Sequence, residues 1–296
     1  MSAPIRSFLF VPGDSERKMS KIAESPADAV ILDLEDAVSA SRKSMARQLV
    51  ADFLGAESGS ARGPQLWVRM NPLGTEHALA DLAAVVAAGP AGIMIPKIDG
   101  PADVVRVHDY LEVLECAHGL PAGSIRVLPV ATETARAPFR LGDFADAGIA
   151  RLYGLTWGAE DLSAALGAST NLGPTGDWAI TYRIVRSLAL MAARAADVEA
   201  IETLYVDIRD TEGLAESCRR ARAEGFSGRI AIHPGQVDAI NAAFTPTSDE
   251  VDYARRVVDA FTADVGTVAL DGKMLDLPHL KQAERVLALA GHTRES

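Results

Sequence analysis

Eight short apolar runs, separated by longer stretches of helical pattern, constrain the fold more than any other feature of this sequence. They fall at 7–11, 29–34, 66–70, 92–95, 126–132, 151–156, 204–206 and 230–232. Gly and Pro punctuate the joints, as at Pro12-Gly13, Gly89-Pro90 and Pro234-Gly235. Amphipathic stretches lie between the runs, among them 78–88 and 181–196, the latter with Ile184, Leu188 and Met191 on one stripe. Eight strands, each followed by a helix, predict an α/β protein whose parallel sheet closes into a (β/α)8 TIM barrel. The alternative is an open doubly wound sheet. The polar residues favour the barrel, because almost every predicted strand runs into ionisable or Asn side chains. These are Asp33, Glu35 and Asp36 after the second, Arg69 and Asn71 after the third, and Lys97 after the fourth. Glu133, Glu160-Asp161, Asp207 and His233 follow the remaining ones. Barrel active sites are built at the C-terminal strand ends, and a purely structural barrel has no need of so many charges there.

The 296 residues are 48% hydrophobic, enough apolar surface to offset chain entropy and exclude disorder. With 29 Lys+Arg against 40 Asp+Glu, the net charge of −11 argues against a general nucleic-acid binder. The longest apolar stretch, 82–96, is broken by Gly89-Pro90 and falls short of the ~20 residues a membrane span needs. The run at 8–11 is too short for a secretory signal, and Cys116 and Cys218 lie far apart, as suits reduced thiols. The expectation is a soluble cytoplasmic protein that binds neither nucleic acid nor membrane. More chain follows the eighth strand than a closing barrel helix needs. Thr245-Pro246-Thr247-Ser248-Asp249-Glu250 reads as a helix start, the helix running to about 263. A strand-like piece at 267–270, a turn at Asp271-Gly272 and a helix over 278–290 complete a C-terminal helical arm or lid. The predicted division is a barrel over 1–244 and an arm over 245–296.

Glu133 and Asp161 follow neighbouring strands and can converge above the barrel mouth. Two carboxylates with room for water and substrate oxygens suit Mg2+. No His/Cys cluster competes for zinc or iron. The plainer alternative has Asp161 capping the next helix and Glu133 pairing with Arg136. Arg69 can fork onto a carboxylate or a thioester oxygen, or pair with Glu35 or Asp36, and the two roles are compatible. Lys97 can form a Schiff base if burial lowers its pKa, or be held charged by nearby Asp99. His233 can serve as a base or position a ligand. Arg17, Lys18 and Lys21 form a basic cluster beside the mouth of an acidic protein, suited to a phosphate-bearing ligand.

The assembled motifs are SFLFVPGD (7–14), AVILDLEDAV (29–38), VRMNP (68–72), IMIPKID (93–99), ATETAR (131–136) and WGAEDL (157–162). IAIHPGQV (230–237), FTPTSDEVDYARRV (244–257) and LDGKMLDLPHLKQAERVL (270–287) follow in order. Together they resemble the citrate lyase beta subunit-like family, relatives of malyl-CoA lyase and citramalyl-CoA lyase, over nearly the whole chain. The resemblance implies Mg2+ on Glu133 and Asp161, and substrate contact by Arg69. It implies a coenzyme A side lined by Phe10, Arg17, Lys21, Ile232 and His233. It further implies a catalytic acid/base at Asp276, delivered by the arm to a neighbouring subunit of a trimer or hexamer. Two positions depart from the family's habit: Glu202, where members often carry Asp, and Thr132, where they often carry a more apolar residue. The implied reaction is reversible cleavage of a 3-hydroxyacyl-CoA thioester to a 2-oxo acid and acetyl-CoA. Its rivals are a thioesterase on the same scaffold, a lysine aldolase using Lys97, and a beta subunit acting on a carrier-bound citryl thioester within a citrate lyase complex.

Overall fold

In the computed structural model, which describes residues 4–57, 63–261 and 266–291, the chain forms eight parallel strands, seven of them at the expected apolar runs. They are β1 (Ser7–Pro12), β2 (Ala29–Asp33), β3 (Gln65–Arg69), β4 (Gly92–Ile95), β5 (Arg126–Pro129), β6 (Gly154–Thr156), β7 (Glu199–Glu202) and β8 (Gly228–Ala231). Their order is β5-β4-β3-β2-β1-β8-β7-β6, and β5 meets β6 through parallel bridges at Val127–Leu152 and Val130–Thr156. Backbone hydrogen bonds from Tyr153 N to Val127 O (2.9 Å) and Ala131 N to Thr156 O (2.8 Å) carry that seam. The sheet is therefore a barrel rather than an open doubly wound sheet.

The period of two along each strand sorts the side chains. Phe8, Ala29, Ile31, Trp67, Met94, Leu128, Ile201 and Ile230 point inward and fill the barrel. Leu9, Val30, Leu32, Val68 and Ile93 point outward and meet the helices. Both faces are buried, so β2 and β4 read as continuous apolar runs. Gly92 is required inside: a Cβ there would lie 2.2 Å from the Trp67 indole. The same alternation places Asp33 above Ile31 and Arg69 above Trp67, so both rise from the interior face at the barrel mouth.

Three expectations change. The seventh strand is Glu199–Glu202, not 204–206, and its end residue is Glu202 rather than Asp207. Its charged ends are tolerated because Arg194 approaches Glu199 (3.6 Å) and Arg186 binds the buried Glu202 (2.6 Å). Asp207 sits exposed in the following turn and accepts a hydrogen bond from Arg209 N. In the helix Ile180–Ala195, the stripe of Ile184, Leu188 and Met191 faces outward. Tyr182, Val185, Ala189, Ala192 and Ala193 are buried instead, since small residues admit close approach to the barrel. The tail contains a second strand that the sequence reading did not anticipate: β9 (Thr267–Leu270) pairs antiparallel with β10 (Lys273–Asp276) around Asp271-Gly272. The helix Ser248–Ala260 opens on a capping box of Thr247 and Glu250. It packs with the helix Leu277–Gly291 around Ala254, Val257, Leu275 and Ala283. No helix among the described residues is long and apolar enough to cross a membrane.

A buried clamp holds the β5–β6 seam. Arg151 donates to both oxygens of Glu115 (2.8 and 2.9 Å), to Ile125 O and to His108 Nδ1, with Arg151 and Glu115 side chains 1% exposed. Burial alone would raise the Glu115 carboxyl, but Arg151 and the N–H groups of Ile125 and Gly123 outweigh it and hold the pKa down to about 2. Its stabilisation is therefore complete above the ordinary value of 4.5 and drains as pH falls towards 2. Arg151→Met strands a buried carboxylate and should cost about 3–5 kcal/mol in urea unfolding at pH 7, shrinking in acid. A loss below 1 kcal/mol would refute this role.

Candidate functional site

A cavity of about 930 Å3 opens at the C-terminal strand ends, with Phe10, Asp33, Arg69, Glu133 and Asp161 in its wall. Arg69 forks onto Asp33, with Nε–Oδ1 and Nη2–Oδ2 both 2.7 Å, while its Nη1 lies 2.8 Å from Glu35 Oε2. Asp33 is itself fixed by the N–H groups of Glu35 and Ala37. The Phe10 ring lies under the guanidinium, 4.6 Å from ring centroid to Cζ. Burial would lower the Arg69 pKa, but Asp33, Glu35 and Glu133 raise it, so the group is a permanent cation. The pairing expected of Arg69 with neighbouring acids is present, through Asp33 and Glu35, and its side chain lines the cavity.

Glu133 follows β5, and Asp161 lies in the first turn of the helix Ala159–Ala165 after β6. The Glu133 carboxylate is 6% exposed, and its Oε2 accepts the Lys97 N–H at 2.6 Å. Its Oε1 accepts no hydrogen bond from the described residues. Gly158 makes room for it, since a Cβ there would lie 2.8 Å from Glu133 Cγ. Thr132 accepts the Gly158 N–H (3.0 Å), which gives the departure at Thr132 a task in shaping this wall. Burial first, then the negative charges of Asp161 and Glu35, push the Glu133 carboxyl up to about 8. Arg136 does not relieve it, because Arg136 pairs with Asp99. Nor does Asp161 cap its helix, whose N-terminus has no side-chain cap. A buried carboxylate with an uncommitted oxygen, repelled by a second acid across a cavity, fits a hard divalent cation with few protein ligands. The described residues also place His108, Asp109 and Glu112 within reach of one another, but none of them lines the cavity and Arg151 already occupies His108 Nδ1.

Lys97 is held by Glu35, by Asp36 (3.0 Å) and by Asp161 (3.3 Å), not by Asp99. Burial favours the neutral amine, yet these acids raise its pKa above the ordinary value, so it remains an ammonium and is unsuited to a Schiff base. Arg17, Lys18, Lys21, Ile232 and His233 all line the cavity. The three basic side chains have no carboxylate partner among the described residues. His233 Nδ1 accepts the Gly235 N–H (3.1 Å) within a capping box with Gln236, so this nitrogen orients the loop. Asn71 is structural, bound to Asp81 and Leu34 O. Asp276 lies at the end of β10, half-exposed and paired with His279, outside the cavity of its own chain. Sequence reasoning missed the support under the cavity wall: Glu202 accepts from Trp157 Nε1 and Arg186 Nε (both 2.6 Å), and Trp157 lines the cavity. A glutamate in an otherwise apolar strand end was the available signal.

Residues 6–234 match the profile of HpcH/HpaI aldolase/citrate lyase. The chain belongs to this family. It is 32% identical over 314 residues to the mitochondrial citramalyl-CoA lyase of Rattus norvegicus, covering 99% of this chain and 88% of the relative. It is 36% identical over 289 residues to citrate lyase subunit beta of Escherichia coli K12, covering 96% and 93%. The crystal structure of CitE from Mycobacterium tuberculosis, in complex with magnesium, acetoacetate and coenzyme A, superposes with a TM-score of 0.77 at 33% identity. That superposition covers 98% of this chain and all of the other.

Proposed function

We propose that this family member is a magnesium-dependent carbon–carbon lyase. It cleaves or forms a 3-hydroxyacyl-CoA such as malyl-CoA or citramalyl-CoA, the products of cleavage being a 2-oxo acid and acetyl-CoA. The observation that carries this reading is the cavity wall itself, with Glu133 and Asp161 beside a guanidinium locked by Asp33 and Glu35. The lyase and beta-subunit relatives, and the magnesium and coenzyme A bound by CitE, support it.

Glu133 and Asp161 would hold Mg2+, which when bound supplies Lewis-acid polarisation of the oxo-acid oxygens. In the cleavage direction a base takes the hydroxyl proton, the carbon–carbon bond breaks, and the electron pair moves into the thioester as an enolate. Arg69 faces that oxygen with its remaining N–H groups. Because its partners already fix it, little reorganisation is needed, and such stabilisation is often worth ~3 kcal/mol. Asp276, from the arm of a neighbouring subunit in a trimer or hexamer, takes the hydroxyl proton and delivers it to the enolate carbon, which gives acetyl-CoA. The unpaired Arg17 and Lys21 meet coenzyme A phosphates, with Phe10, Ile232 and His233 lining the same side. The catalytic barrel spans 1–244, the arm spans 245–296, and the setting is cytoplasmic.

The test is to incubate the purified protein with Mg2+ and a panel of 3-hydroxyacyl-CoA thioesters and to identify products by mass. Oxo acid plus acetyl-CoA, lost on adding chelator, supports the lyase. Free hydroxy acid plus CoA identifies a thioesterase instead. Turnover only with a carrier-bound citryl thioester identifies a complex subunit.

A further inference from the structure

Among the described residues, Lys97 bonds to both acids of the proposed metal pair, and it does so with different parts of itself. Its backbone N–H binds Glu133 Oε2 at 2.6 Å, and its ammonium lies 3.3 Å from Asp161 Oδ1. Its φ of +52° explains how. The left-handed conformation turns the chain out of the alternation of β4, aiming the N–H along the mouth towards β5 while the side chain crosses to β2 and β6. The other described non-glycine residues with positive φ are Asp197 and Asp271. Aspartate tolerates this region through local hydrogen bonding, which a lysine side chain does not offer. A bulky residue held there points to a constraint set by the site rather than by the turn.

We propose that Lys97 is a positioning residue and the internal counter-ion of the magnesium site. Its ammonium holds Asp161 in place before metal binds and is displaced from Asp161 by the ion. The inference rests on Glu133 and Asp161 being the magnesium ligands. The exchange is feasible because the ammonium keeps two other partners, Glu35 and Asp36, and leaves no unpaired charge behind when it lets Asp161 go. It is also competitive. An Asp161 oxygen engaged by an ammonium is a poorer ligand, so the lysine lowers metal affinity while keeping the empty site assembled.

Lys97→Met removes the charge and keeps the N–H to Glu133. Lys97→Gly does the same and adopts positive φ without strain. Magnesium affinity without substrate, by titration calorimetry, should tighten about tenfold in both variants, while the urea midpoint in chelator should fall. A merely structural lysine would weaken affinity and stability together. Affinity unchanged or weaker in folded Lys97→Met, with the wild type binding normally, overturns this inference alone. A wild type that takes up no magnesium overturns the metal reading as well. Should both variants fail to fold, a crystal structure of the wild type with Mg2+ decides: Lys97 Nζ more than 4 Å from Asp161 supports displacement, and 3.3 Å overturns it.

Discussion

Glu133→Gln is expected to lower magnesium-dependent turnover about a thousandfold, the consequence of losing several kcal/mol of electrophilic assistance. Glutamine keeps the shape and can still accept the Lys97 N–H, so the loss reports charge rather than packing. The same substitution should change how stability depends on pH. With a pKa of about 8 in the fold against an ordinary 4.5, Glu133 binds its proton more tightly folded than unfolded. Stability of the metal-free protein therefore falls as pH rises from 4.5 through 8, by at most ~1.4 kcal/mol per unit from this group. That is opposite in sign to the Glu115 clamp, whose contribution falls as pH drops. If Glu133 is a ligand, magnesium needs its ionised carboxylate, so it should stabilise the wild type more at pH 8.5 than at pH 6, and Glu133→Gln at neither. Scanning calorimetry with chelator or Mg2+ at both pH values reads this directly. A magnesium effect that persists in the variant would remove Glu133 from the metal site.

The barrel was legible because two-sided burial leaves β2 and β4 as unbroken apolar runs, and because Asp33 and Arg69 close their strands, and Glu133 follows β5, at the same mouth. What failed was local. β7 was displaced by several residues because Glu199 and Glu202 look like helix surface until Arg194 and Arg186, both from the preceding helix, are seen to neutralise them. The Ile184 stripe misled because periodicity shows that a helix has two faces but not which one packs. Here the alanine-rich face does. Lys97 was assigned the wrong acid for a backbone reason. Proximity in sequence favoured Asp99, whereas the left-handed turn at Lys97 sends the ammonium to Glu35 and Asp36, across β3, and to Asp161, brought near by closing the barrel at the β5–β6 seam. Asp99 is meanwhile taken by Thr134 Oγ1 (2.7 Å).

Asp276→Asn should abolish turnover, by about 10^2–10^4-fold, with substrate binding unchanged, if this carboxylate moves the proton. Its own chain does not bring Asp276 to the cavity: it closes β10, is half-exposed, and pairs with His279. From that position catalysis by Asp276 would draw on a second subunit, and this expectation can be tested without a structure of the assembly. In a closed head-to-tail ring each site combines the barrel of one subunit with the arm of the next. Glu133→Gln spoils the barrel contribution and spares the arm; Asp276→Asn does the reverse. Co-expressed under separate tags and purified through both, so that only mixed rings remain, the two inactive chains should regain about a third of wild-type activity in a trimer, because each mixed ring joins an intact barrel to an intact arm at one of its three sites. If each arm served its own barrel, every site would carry one lesion and the mixture would stay inactive. Full activity of Asp276→Asn alone would remove this residue from the reaction and leave the proton transfer to a group already in the cavity wall.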